Sequence, residues 1–272
     1  MMMSGHSKWS KIKRAKGSND AKRAILFTKL AVELTEASRQ AKGDTSDIRL
    51  AAAISKAKAN NVPKDNIEGA IKRGVEGKGS TNMEAVTYEG IGPGSTAIII
   101  EALTDNRKRT APNVRHAFSK NGGTLGSSGS VAWMFVRRGL VEIPEEGREK
   151  GRGEEALLDD ALEAGAEDVE GDPEEEWEEG EDEPRVTRVY CEPGALAGVR
   201  KGLEERGWRP SLVQFAYVPT TWVEVEVEEE EGKEREKGKV AVVSPGQQLL
   251  TLLEALEEDP DVQNVFHNAR LI

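Results

Sequence analysis

A single cysteine, three histidines and 5% aromatic residues leave this 272-residue chain poorly supplied for several common chemistries. One cysteine excludes an internal disulfide, and Cys191, set in the strand-like Arg188-Val189-Tyr190-Cys191, is expected to be a buried structural thiol. His6, His116 and His267 lie far apart with no His or Cys at ligand spacing, so the sequence carries no zinc signature. Long apolar runs are missing as well. The most hydrophobic stretch, Thr96 to Ile100, stops at Glu101, far short of the roughly 20 residues a spanning helix needs. The basic N-terminal stretch is not followed by an apolar one and does not read as a secretory signal. No membrane association and a cytoplasmic location are the expectations.

Catalytic constellations are also lacking. Gly90-Ile91-Gly92-Pro93-Gly94 precedes a strand instead of following one, and its proline removes an amide that a dinucleotide loop would use, so it reads as a turn. Asn121-Gly122-Gly123-Thr124-Leu125-Gly126-Ser127-Ser128-Gly129-Ser130 has no Gly-Lys-Ser/Thr ending and no Gly-x-Ser-x-Gly. It is either a mobile contact loop or a helix cap followed by strand entry. Carboxylates come in runs such as Glu174 to Glu176 and Glu228 to Glu231, which suit solvated surfaces better than a separated acid and base. The chain is expected to be no enzyme, with no cofactor, no metal and no small-molecule substrate.

What the sequence does have is charge, unevenly placed. Its net charge of −11 divides into +9 over residues 1–80, +3 over 81–140 and −23 over 141–272. A basic front half joined to an acidic back half suits a protein that docks one face on nucleic acid.

The length suits two or three domains. Residues 1–80 read as a basic helical domain. Phe27, Leu30, Ala31, Leu34, Ala37 and Ala41 repeat at helical spacing after Ser18 as N-cap. A second helix runs from Ser46 to Asn60-Asn61, and a third follows Pro63 with Asp65 as cap. The pattern then changes to β-α-β: a strand at Thr96 to Leu103, a helix capped by Thr110 with Pro112 in its first turn, and a strand at Ser130 to Val136. A further strand over Gly139 to Ile143, helices at 154–165 and 194–206, and strands at 185–191 and 211–218 make a second α/β unit, whose acidic loop 167–183 should be solvated or mobile. A strand at Thr221 to Val227, a helix over Gln247 to Glu257 and a strand near Val262 to His267 can complete the first sheet. The predicted fold is α+β in three domains: an N-terminal helical bundle, a discontinuous middle α/β domain of residues 81–137 plus 219–272, and an acidic α/β domain of residues 138–218 inserted into it.

The candidate nucleic-acid contacts begin in Gly5-His6-Ser7-Lys8-Trp9-Ser10-Lys11-Ile12-Lys13-Arg14-Ala15-Lys16, where no acid occurs before Asp20. Lys8, Lys11, Lys13, Arg14 and Lys16 would displace condensed counterions from phosphates. Trp9 either stacks on an unpaired base or, with Ile12, anchors the segment on the bundle. Lys22, Arg23 and Lys29 continue the charge onto the first helix. Arg107, Lys108 and Arg109 sit where a helix should begin, and cations there oppose the helix dipole. A bound phosphate would reverse that penalty, with Arg115 and Lys120 extending the site, and pairing with acids elsewhere is the alternative. The pair of helices over 46–73, joined by a long Asn/Pro turn, does not read as a helix-turn-helix.

Several of these motifs together resemble the YebC/PmpR family, to which the mitochondrial translational activator of cytochrome c oxidase also belongs. The resemblance rests on Gly5-His6-Ser7-Lys8-Trp9, Asp20-Ala21-Lys22-Arg23, Phe27-Thr28-Lys29-Leu30, Asn61-Val62-Pro63-Lys64-Asp65-Asn66-Ile67, Tyr88-Glu89-Gly90, Leu103-Thr104-Asp105-Asn106-Arg107, Arg109-Thr110 and Gly122-Gly123-Thr124-Leu125-Gly126 through Ser130-Val131. It loosens beyond Val141. It implies a three-domain α+β fold, a cytoplasmic location and no enzymatic activity. It also implies either a DNA-binding transcriptional regulator or a ribosome- and RNA-associated factor that eases translation of proline-rich stretches. Val62, where the family commonly has methionine, and an unusually acidic second half depart from the pattern.

Overall fold

The computed structural model describes residues 20–77, 83–147, 152–171, 186–227 and 244–272. Three helices open it: α1 (Asp20–Ala41), α2 (Ile48–Ala59) and α3 (Lys64–Val75). The apolar stripe of α1 buries Leu30 and Leu34 against Leu50, Ala53 and Ala57 of α2 and Ile67 and Ala70 of α3. At the end of α1, Lys42 and Gly43 turn left-handed, and the Gly43 N–H donates to the Ser38 carbonyl at 2.9 Å, which consumes one of the carbonyls a helix end leaves open. Asp47 caps α2 by accepting from the Arg49 and Leu50 N–H groups. Asp65 does not cap α3. Pro63 holds that position, and Asp65 lies inside the first turn, where its charge favours the helix dipole.

Two four-stranded sheets follow. In the first, β1 (Glu84–Ile91) and β2 (Ala97–Thr104) form an antiparallel hairpin through Gly92 to Thr96. The strands β3 (Thr124–Leu125) and β9 (Val262–His267) complete the order β3-β1-β2-β9. One face buries Ile98 and Ile100 beneath α4 (Arg107–Lys120) and α7 (Pro245–Glu258). The other packs Ala97 and Ile99 on Val131 and Phe135. Burial on both faces explains why this strand reads as an unbroken apolar run instead of an alternating one. Gly90 is required where β1 meets α4, because a Cβ there would lie 2.6 Å from the Phe118 ring and 2.8 Å from the Thr124 carbonyl.

The second sheet has the order β5-β6-β4-β7, from β4 (Phe135–Pro144), β5 (Asp168–Glu170), β6 (Val186–Cys191) and β7 (Leu212–Pro219). The helices α5 (Glu154–Glu163) and α6 (Leu196–Glu205) cover it, around Val141, Ile143, Leu157, Val199, Leu203 and Trp208. Cys191 is fully buried there, and that burial pushes its thiol up to about 11, so it stays protonated and unreactive at neutral pH. A short parallel pair, β8 (Val223–Val225) with β10 (Ala269–Leu271), finishes the fold. Among the described residues no helix is long and apolar enough to cross a membrane.

Several predicted boundaries move. Ser130 to Val136 and Gly139 to Ile143 are not separate strands: residues 132–134 form a 3₁₀ turn, and β4 then runs unbroken because it pairs with β7 from Phe135 opposite Pro219 to Glu142 opposite Leu212. Within the acidic stretch 167–183, Asp168 to Glu170 is a strand on β6, while residues 172–183 lie outside the described ones. The strand expected over Thr221 to Val227 shortens to β8. On this strand order we propose the division into residues 1–80, 81–137 with 219–272, and 138–218.

The bundle meets the first sheet through polar bridges. Lys56 Nζ reaches Glu33 at 3.1 Å and Asn264 at 2.6 Å, and Asn264 donates onward to Glu101 at 2.9 Å. Lys29 is buried and gives its ammonium to the Glu257 carbonyl.

Candidate nucleic-acid interface

The helix α4 begins at Arg107, three residues before the expected Thr110 cap, because Asn106 takes that role and accepts from the Lys108 N–H at 3.1 Å. Thr110 is buried inside the helix, and its hydroxyl donates to Asp261 at 2.7 Å. Asp261, itself buried at the start of β9, also receives Arg109 Nη2 at 2.7 and 2.9 Å, and Arg109 holds Asp105 at 2.9 Å. Thr104 closes the set by accepting from the Asn106 N–H at 2.9 Å. The Thr104 to Thr110 motif is thereby a clamp joining the start of α4 to the far end of the chain. Most of its amides are spent: those of Lys108, Arg109 and Thr110 all bond to Asn106. Anion binding at this helix start therefore rests mainly on side-chain charge. Asp261→Asn keeps the shape but removes the charge facing Arg109. Because Arg109 is half-exposed, the expected cost is only about 1–2 kcal/mol in urea unfolding, and an unchanged midpoint would reduce the clamp to packing.

Pairing with acids also takes up Arg107, whose Nε lies 2.7 Å from Glu84. Lys108, Arg115 and Lys120 differ. All three are exposed and have no acidic partner among the described residues. Lys108 and Arg115 are seven residues apart, which returns them to one helical face, and His116 and Lys120 stand on the neighbouring exposed side. No acid occurs anywhere in α4. The wider signal, overlooked when charge is summed over large blocks, is that no Asp or Glu occurs from Asn106 to Val141, a tract with seven Lys and Arg. Arg137 and Arg138 at its end belong to it. Arg138 pairs with Glu167, and Arg137 lays its guanidinium 4.8 Å from the centre of the Phe215 ring.

The glycine-rich stretch inside this tract is held from below. Glu89, buried in β1, accepts from the N–H groups of Gly129 at 2.7 Å, Val131 at 2.9 Å and Ala132 at 2.8 Å. Burial works to raise its pKa, but the three amides outweigh it and hold the carboxyl below its usual range. Gly129 has φ of 83°, a left-handed conformation that suits glycine. The stretch ends at Trp133, another residue absent from the sequence-based candidates, which is 73% exposed.

Of the remaining candidates, His6, Lys8, Trp9, Lys11, Lys13, Arg14 and Lys16 lie outside the described residues. Lys22 belongs to α1, with its side chain also outside them. Arg23 is exposed, its guanidinium 5.3 Å from the Phe27 ring centre. Lys29, tied to Glu257, faces inward and is not available to a ligand without breaking that contact. The link between α2 and α3 is four residues, Asn60 to Pro63, shorter than the long turn expected and within the range of a helix-turn-helix. The charges of α3 nonetheless do not suit a groove-reading helix: Lys64 pairs with Glu68 and Lys72 with Glu76 along its own surface. Among the described residues no cluster of three His, Cys, Asp or Glu could hold a metal ion.

The family model described as the TACO1/YebC protein N-terminal domain matches residues 7–77, and that of the TACO1/YebC second and third domain matches residues 83–269. A protein of Rubrobacter xylanophilus is 45% identical over 268 residues, covering 98% of this chain and 95% of its own. One of Pelotomaculum thermopropionicum is 44% identical over 267 residues, covering 98% of each. Both are named probable transcriptional regulatory proteins. The crystal structure of a conserved hypothetical protein from Aquifex aeolicus superimposes with a TM-score of 0.72 at 37% identity, covering 93% of this chain and 92% of that one. On the strength of matches that run nearly its whole length, the chain belongs to the TACO1/YebC family.

Proposed function

We propose that this chain is a non-enzymatic, cytoplasmic, nucleic-acid-binding regulatory protein, and that it acts as a DNA-binding transcriptional regulator. The observation that carries the reading is the acid-free tract from Asn106 to Val141 in a chain of net charge −11, with Lys108, Arg115 and Lys120 exposed on α4 and without an acidic partner among the described residues. Like-charge repulsion would keep so acidic a protein off a polyanion in most orientations, and this tract supplies one orientation in which it is attracted. The basic segment from Lys8 to Lys16, with Lys22 and Arg23, would add phosphate contacts. The names of the relatives support the transcriptional side. A second reading, an RNA- or ribosome-associated translation factor, is favoured by α3, whose paired acids make it a poor reader of the major groove.

The test is a titration of the full chain against duplex DNA and single-stranded RNA over a salt series. Binding should weaken linearly in log K against log salt. Changing Lys8, Lys11, Lys13 and Arg14 to Ala should flatten that slope by roughly 0.7–0.9 per lost phosphate contact. A salt-independent affinity would reject the reading. Crosslinking in cells followed by sequencing separates its two forms, with promoter DNA selecting transcription and ribosomal RNA selecting translation.

A further inference from the structure

We infer that Trp133 is a stacking platform for an unpaired base of single-stranded RNA. The inference rests on the nucleic-acid reading above and adds to it a site and a ligand chemistry.

A tryptophan normally hides most of its surface, as Trp208 does at 1% exposure in the second core. Trp133 is 73% exposed, and folding leaves it there in a defined pose. Its indole N–H donates to the Ser130 carbonyl at 3.1 Å, while the flanking Val131 and Ala132 amides are pinned to the Glu89 carboxylate. One edge of the ring is therefore fixed, and its face is open. The ordering that a ligand would otherwise impose on this turn is already made by the fold.

The surroundings argue for a base over an apolar protein partner. The five residues leading into the turn, Gly126-Ser127-Ser128-Gly129-Ser130, are all exposed, small and polar, so this side of the turn adds no large apolar side chain to the ring. Trp133 instead lies inside the acid-free tract, four residues before the exposed Arg137, while Arg115 and Lys120 of α4 stand across the first sheet from it. A π-face in an acid-free segment beside short hydroxyl side chains suits an unpaired base held without sequence preference. Unstacked bases in loops and single strands are the feature RNA presents most readily, and the hydroxyls of Ser127 and Ser128 suit its 2′-OH.

The experiment compares wild type, Trp133→Ala and Trp133→Phe by fluorescence anisotropy, on a labelled single-stranded RNA and on the same strand closed into a duplex, with circular dichroism confirming the fold. Trp133→Ala is expected to weaken single-strand binding by about tenfold and leave duplex binding and the salt slope unchanged, because no phosphate contact is lost. Trp133→Phe should stay within about threefold of wild type, since a smaller ring still stacks. If Trp133→Ala keeps wild-type affinity for the single strand, the inference falls and the phosphate reading stands. If the two probes lose affinity equally, the ring is a backbone contact and the inference falls as well. A wild type that binds neither probe at low salt overturns the inference together with the RNA-associated reading, and leaves the DNA reading to the duplex-DNA titration above.

Discussion

Changing Lys108, Arg115 and Lys120 together to glutamate is expected to lower the affinity of the full chain for short duplex DNA by about a hundredfold at low salt, on an estimate of about 1 kcal/mol per lost phosphate contact. The three residues are chosen over Arg107 and Arg109 for a physical reason. Arg107 is held by Glu84 and Arg109 by Asp105 and Asp261, so reversing either would break the fold's own contacts and confound lost binding with lost structure. The side chains of Lys108, Arg115 and Lys120 stand in solvent without an acidic partner among the described residues, so their reversal should leave the unfolding midpoint within about 0.5 kcal/mol of wild type. A triple alanine variant should lose less, because it removes attraction without adding repulsion. Raising the salt should shrink the gap between the variants and wild type, since counterion release is what separates them. If the glutamate variant binds duplex as tightly as wild type, α4 is not the interface, and the acid-free tract needs another explanation.

Much of the fold was legible because burial and pattern agree where helices are concerned. The stripe of Leu30 and Leu34, the Gly43 stop and the Pro63 start mark the bundle directly. The strand β1 was not legible, since its two buried positions are Glu89 and Gly90, neither of which reads as core. Glu89 is buried to hold a loop some 40 residues away, and Gly90 to admit the Phe118 ring. The start of α4 was misjudged for a related reason. Thr110 has the chemistry of a cap, but its hydroxyl goes to Asp261, a residue brought to it only by the strand order of the first sheet. Local sequence shows which groups want partners and is silent on partners supplied from far along the chain. The candidate interface shows the same division. The acid-free run of basic residues is visible in the sequence, but the sorting of Arg109 and Lys29 into internal contacts and Lys108 into solvent needed coordinates.

Glu89 joins these threads, and its replacement should have the largest effect on stability. Glu89→Ala removes the acceptor for three amides at once. The amides at Gly129, Val131 and Ala132 are then left to partial rescue by water, at an expected cost of about 3 kcal/mol in urea unfolding. Glu89→Gln is more discriminating. One amide oxygen can still serve Val131 and Ala132, but the Gln nitrogen would face the Gly129 N–H, donor against donor, so a smaller cost of about 1–2 kcal/mol follows. The charge adds a pH dependence of definite sign. Burial favours the protonated acid and the three amides outweigh it, leaving the folded-state pKa below the usual 4.5. Between the folded value and 4.5 the unfolded chain binds the proton and the folded chain does not, so stability rises with pH across that window. The contribution is complete above 4.5 and is lost as pH falls through the folded value, and Glu89→Gln should flatten this part of the curve. Amide exchange at Gly129, Val131 and Ala132 should accelerate in the same variant, and single-strand binding should weaken toward that of Trp133→Ala as the turn under the indole loosens. Exchange rates and an acid limb identical to wild type would mean that the carboxylate does not hold this loop, and the fixed pose of Trp133 would then need a different cause.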